Sequence, residues 1–193
     1  MTGPCFFGYG SLVNRATHDF PGPCRATLRG WRRAWRHTDL RPVPFLTAIP
    51  DPGCVIDGLI AHVPGNDWTA LDAREWAYDR VPVTQAVSHP LTYPAEIAVY
   101  AVPASRHRHP NGRCPVLLSY VDVVVQGYLR EFGEDGAERF FATTDGWSAP
   151  VLNDRAEPRY ARHQQLTREE TAFVDDRLSA LGVGIVTSAA GRG

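Results

Sequence analysis

The chain has 193 residues, 44% hydrophobic and 21% charged, with a formal net charge of −1; this is the profile of one globular domain with its own core and no global field for nucleic acid or an anionic membrane. All 20 basic residues are Arg, which excludes chemistry built on a lysine amine: Schiff-base and pyridoxal enzymes, a Walker-A phosphate loop, the strand lysine of protein kinases. Cys5, Cys24, Cys54 and Cys114 stand singly, and no leader-like or membrane-length apolar run occurs, so a metal-free, cytoplasmic protein with reduced thiols is expected.

In chain order, Cys5–Gly8 is a short apolar run ending at a glycine turn, the form of a buried strand. Thr27–Thr38 alternates, with Trp31, Arg33, Trp35 and His37 on one strand face and Arg32, Ala34 and Arg36 on the other. Cys54–Val63 is a third strand, in which Gly58 marks a bulge or a close backbone approach. Asn66 or Asp67 caps a short helix through Trp68, Leu71 and Trp76, and Val81–Val87 and Ile97–Val102 are further β-rich runs. His107 and His109 form a His-x-His in an Arg-rich, Pro-flanked stretch that reads as an exposed loop rather than a metal site.

Beyond residue 115, Leu117, Val121, Val124, Val125, Tyr128 and Phe132 form a helical stripe, and Gly133 sits where a C-terminal cap belongs. A second helical stretch follows over Glu134–Phe141. Thr167 with Glu170 is a capping-box signature opening a last helix through Val174, Leu178 and Leu181, with Gly182 past its end. Strands first and helices later predict an α+β fold: one domain over residues 1–183, with a flexible tail over 184–193.

Three constellations could carry chemistry. Gly8 and Gly10 flank Tyr9 directly after the first strand, so the backbone can turn sharply and present successive N–H groups in one direction, although the segment lacks the third glycine of a dinucleotide fingerprint. Leu71 and Glu75 lie one helical turn apart; with Leu71 facing the core, Glu75 is carried inward beside Trp76, where desolvation raises a carboxyl pKa towards that of a usable base. The alternative is a surface ion pair of Glu75 with Arg74 or Arg80. Trp31–Arg36 interleaves aromatic and basic residues, as some single-strand binders do, but neutral overall charge favours a strand with aromatics inward and Arg stems at its edges.

Taken in order, FGYGSL, VIDGLIAHV and LDAREWAYDRV resemble the glycine-turn motif, glycine-containing strand and catalytic-glutamate helix of the γ-glutamylcyclotransferase superfamily, and Ser119-Tyr120 resembles its tyrosine near the start of the long helix. The resemblance covers Cys5 to Gly133. It implies a small mixed β-barrel flanked by helices, and an enzyme that cyclises a γ-glutamyl peptide or amine to 5-oxoproline with release of the amine part. It also implies that Glu75 is the catalytic base, that Tyr9, Gly10, Ser11, Leu12 and Tyr120 bind a small-molecule γ-glutamyl substrate, and that no cofactor or metal is needed. Neither nucleic acid nor a membrane is an expected partner. Leu12 matches the glutathione-acting, ChaC-like branch, whereas Arg41-Pro42-Val43-Pro44 stands where that branch carries a Pro/Gly-rich substrate loop. Residues 143–163 have no counterpart in that core fold. A non-catalytic binder of a small anion or a partner, on the same fold, is the competing class.

Overall fold

The computed structural model describes residues 3–108 and 114–187. The strands are β1 (Cys5–Gly8), β2 (Cys24–Thr38), β3 (Arg41–His62), β4 (Asp79–Pro82), β5 (Val87–Ser88), β6 (Ile97–Ala101), β7 (Val116–Leu117), β8 (Thr144–Asp145), β9 (Val151–Leu152) and β10 (Ile185–Val186). The helices are α1 (Thr69–Arg74), α2 (Leu118–Ala142) and α3 (Arg168–Ala180).

Seven strands form one mixed sheet in the order β4-β6-β1-β3-β2-β5, with β8 also on β2, curled into a half-barrel. The expected α+β architecture is what forms. All four residues of β1 are buried, as a continuous apolar run requires of a central strand; it pairs antiparallel with β3 and parallel with β6. The long β2–β3 hairpin supplies the wall of the half-barrel, its register running from Cys24↔Ile60 to Thr38↔Arg41 with breaks at Arg29/Trp31 and Arg36/Thr38. The apolar stripe of α2 covers the sheet: Val121, Val124, Val125 and Tyr128 are fully buried. Gly133 does not end α2 but breaks it, at φ 69°, so that the two expected helical stretches follow one another as a single kinked element. α3 opens with the capping box, Thr167 Oγ1 accepting from Glu170 N at 3.1 Å and Glu170 Oε2 accepting from Thr167 N at 2.9 Å. No helix among the described residues is long and apolar enough to cross a membrane.

Four expectations are corrected. The helix predicted from residues 66–76 is only six residues long, and Trp76 beyond it is 58% exposed rather than packed with Leu71. Val81–Val87 is interrupted by a 3-10 turn at Thr84–Ala86, so only its ends are strand. Arg33 does not run along a strand edge: it is 1% exposed, because its guanidinium finds acceptors inside the half-barrel. A sheet also reaches past residue 183, since β10 pairs parallel with β9, which pairs parallel with β7. His109 lies outside the described residues, while His107 Nε2 lies 2.8 Å from Val102 O.

Candidate active site

The Gly8–Leu12 segment leaves the end of β1 and enters a 3-10 turn at Ser11–Val13. The first bond within that turn runs from Val13 N to Gly10 O at 3.0 Å, which leaves the Ser11 and Leu12 N–H groups outside its hydrogen bonding. Gly10 is needed because a Cβ there would lie 2.8 Å from the Tyr120 hydroxyl and 3.4 Å from Leu46 Cδ2. The glycine therefore lets the main chain and a phenol share one small space.

A small cleft lies over this turn, lined by Gly8, Tyr9, Gly10, Ser11, Leu12, Leu46, Glu75, Tyr78, Tyr100 and Tyr120 among others. Glu75, Tyr9, Gly10, Ser11, Leu12 and Tyr120 thus meet in one concavity, although Glu75 and Tyr120 come from elements far apart in the chain, while Trp31–Arg36 does not line it.

Glu75 caps the C-terminus of α1, its N–H donating to Leu71 O at 2.9 Å, and its side chain is 16% exposed. Burial raises its pKa above the usual carboxylate value, and the charges of Arg74, Arg162 and Arg41 work against that rise. The aromatic neighbours that desolvate it are phenols rather than Trp76: Tyr78, Tyr9 and Tyr120 line the same cleft. Both sequence readings of Glu75 hold in part, since it pairs with Arg74 at 3.2 Å, but inside the protein, where the Arg74 side chain is 8% exposed. Arg74 also donates to Thr17 O at 2.9 Å and to Ser11 Oγ at 3.2 Å, so one guanidinium ties the carboxylate to the glycine turn.

The phenols differ in what they can do. Tyr9 donates to Tyr100 O at 2.6 Å and accepts from Ala48 N at 3.0 Å, so its hydroxyl is engaged and its ring is wall. Tyr78 donates to Leu46 O at 3.0 Å. The Tyr120 hydroxyl makes no hydrogen bond to another described residue. Its ring is held edge-on between Trp35 and Tyr160, at centroid distances of 5.8 and 4.9 Å, so its hydroxyl is the phenolic donor left for a ligand. Burial raises the pKa of Tyr9, Tyr78 and Tyr120, so each remains a protonated donor at neutral pH.

Behind the turn, Arg33 donates to Tyr9 O at 3.0 Å, Thr143 Oγ1 at 2.6 Å, Asp57 O at 2.5 Å and the Tyr128 hydroxyl, and it stacks on Tyr128 and Phe140. The sequence reading missed Arg33, Arg74 and Tyr78 as parts of this site. The signal for Arg74 and Tyr78 was present in LDAREWAYDRV, next to Glu75. For Arg33, a basic residue on the aromatic face of an alternating strand was the only sign.

The family model described as gamma-glutamyl cyclotransferase, AIG2-like matches residues 6–118. Among solved structures the chain is similar to a gamma-glutamyl cyclotransferase, with 15% identity, TM-score 0.57, and 90% of this chain and 98% of that one covered. It is also similar to the uncharacterized protein loc79017 from Homo sapiens, at 16% identity and TM-score 0.55, covering 89% and 97%. YkqA from Bacillus subtilis matches at 18% identity and TM-score 0.57, covering 74% of this chain and 56% of that one, so the chain spans little more than half of that protein. These likenesses are of fold. No curated protein matches the chain.

Proposed function

The chain belongs to the gamma-glutamyl cyclotransferase, AIG2-like family, and from that premise we propose that it is an enzyme cyclising the γ-glutamyl group of a γ-glutamyl peptide or amine to 5-oxoproline. The observation that carries this reading is a desolvated carboxylate, Glu75, in one cleft with the Gly10–Leu12 turn and the unengaged Tyr120 hydroxyl. A binder needs the cradle; only a catalyst needs the base.

In the proposed reaction Glu75 accepts a proton from the glutamyl α-ammonium and frees its lone pair. The nitrogen bonds to the γ-carbonyl carbon, the bond from that carbon to the departing nitrogen breaks, and both protons shed by the ammonium end on the released amine, one through Glu75. Ring closure is intramolecular, so holding the folded conformer supplies much of the acceleration. The Ser11 and Leu12 N–H groups suit the substrate carboxylate or the developing oxyanion, and the Tyr120 hydroxyl beside Gly10 supplies a further donor.

The test is Glu75→Gln, which keeps the shape and one acceptor but takes no proton. With γ-glutamyl-alanine, glutathione and a γ-glutamylamine as substrates, 5-oxoproline release should fall about 10²–10⁴-fold while a ligand-dependent rise in melting temperature persists. Wild-type turnover by this variant removes Glu75 as base. Ligand binding without 5-oxoproline from the unmodified protein favours the non-catalytic reading instead.

A further inference from the structure

A second, wider cleft of about 330 Å³ adjoins the inner one and shares Ser11, Glu75, Tyr78 and Tyr120 with it. Four arginines line it, Arg41, Arg74, Arg159 and Arg162, against one carboxylate, Glu75. Arg74 is occupied by Glu75, Thr17 and Ser11. The other three form no ion pair with any described residue. Arg41 lies over the Phe45 ring at 3.5 Å, and its Nε is buried without a hydrogen-bond partner. Arg159 and Arg162 are exposed at the mouth of this cleft and Arg41 is half-buried, so together they set a positive potential there that favours an entering anion.

Arg159 and Arg162 belong to the segment that the sequence left unplaced, and both lie outside the region that the family model matches. That segment is fastened firmly. The buried Asp154 accepts from Ser119 N at 2.8 Å, Ser119 Oγ at 2.6 Å and Arg159 N at 3.0 Å, which ties the segment to the first turn of α2. Arg155 makes a two-pronged pair with Asp122 of α2, at 2.8 and 2.7 Å, and reaches Asp175 of α3 at 2.7 Å. Tyr160 N donates to Ser119 Oγ at 3.3 Å, and its ring meets Tyr120 edge-on. The two arginines are thus carried on a braced loop at the mouth of the cleft that holds Glu75.

Resting on the cyclotransferase reading, we infer that Arg41, Arg159 and Arg162 recognise a carboxylate on the departing amine, so that the preferred substrates are γ-glutamyl amino acids rather than neutral γ-glutamylamines. An amino acid as leaving group carries its carboxylate directly beyond the scissile nitrogen, and the three arginines lie in the cleft that continues outward from Glu75. The planar guanidinium fork matches a carboxylate in geometry as well as charge.

The experiment compares kcat/KM for γ-glutamyl-alanine and γ-glutamyl-alaninamide, which share the glutamyl carboxylate and differ only in the second one. The wild-type protein should prefer the carboxylate substrate by roughly ten- to a hundredfold, the worth of one or two charge-assisted hydrogen bonds. In the double variant Arg159→Gln, Arg162→Gln that ratio should fall towards unity through a higher KM for γ-glutamyl-alanine. Added salt should lower the ratio in the unmodified protein, a measurement that needs no variant to fold. Equal turnover of the two substrates by the wild-type protein overturns the proposal. So does a ratio unchanged in the double variant, which would assign these arginines to the shared glutamyl carboxylate. Failure of both compounds while glutathione or a γ-glutamylamine releases 5-oxoproline overturns this inference alone, and failure of all four overturns the cyclotransferase reading with it.

Discussion

Replacing Arg33 by Met tests whether a buried cation behind the glycine turn positions the site. Met keeps the unbranched stem between Tyr128 and Phe140 but removes the donors to Tyr9 O, Asp57 O, Thr143 Oγ1 and the Tyr128 hydroxyl. Part of the loss is recovered at once. Thr143 Oγ1 keeps its bond to Arg139 O at 2.6 Å, and Tyr128 can still donate to Tyr9 O at 2.9 Å or to Asp57 O at 2.7 Å. It cannot donate to both, so one main-chain carbonyl loses its side-chain donor, at a cost of about 1–3 kcal/mol. Removing a buried charge offsets some of this, because the desolvation of the guanidinium disappears with it. A net destabilisation of about 1 kcal/mol follows, equivalent to a fall of roughly 2–4 °C in melting temperature for a chain of this size. Urea unfolding should show a lower midpoint at unchanged slope. Because Tyr9 O is the carbonyl immediately before Gly10, kcat/KM for a γ-glutamyl substrate should drop further than stability alone accounts for at a temperature where the variant is fully folded. An Arg33→Met protein with wild-type midpoint and wild-type kcat/KM would refute the reasoning.

Gly10→Ala places a methyl 2.8 Å from the Tyr120 hydroxyl, so turnover should fall at least tenfold, the scale of a displaced donor, while the melting temperature changes little. A steady-state assay beside a melting curve checks both. The acid limb of the kcat/KM profile should lie above the ordinary carboxylate range, since burial raises the Glu75 pKa and the base must be ionised. The same shift has a stability sign. A pKa higher in the folded than in the unfolded state means that the contribution of Glu75 is complete below the unfolded value and is lost as pH rises through the folded one. Glu75→Gln should therefore melt at or above the wild-type temperature near neutral pH and lose that advantage near about pH 4, which melting curves at the two pH values decide.

Features that depend on neighbours along the chain were legible from the residues alone. The β1 strand and its glycine turn, the stripe of α2 and the Thr167–Glu170 box each encode geometry within a few residues, and each forms as read. So does the inward course of Glu75, because Leu71 one turn earlier commits that face to the core. Local pattern could not say that Arg33 would be buried. That needed Tyr9 O, Asp57 O and Tyr128 to converge from three separate segments, and a guanidinium is stable inside only where such acceptors already exist. Nor could it say that Trp76 would stand exposed, since the end of α1 is decided by where the chain must turn to enter β4. The braced loop carrying Arg159 and Arg162 was the least legible part. Its place at the mouth of the cleft depends on Asp154 meeting Ser119 and on Arg155 meeting Asp122, contacts across more than thirty residues of chain. Those pairings are ordinary polar residues in the sequence and acquire meaning only when packing has brought α2 and the loop together. The place of the Glu75 carboxylate was thus written locally, and the charge of the vestibule around it was decided by tertiary structure.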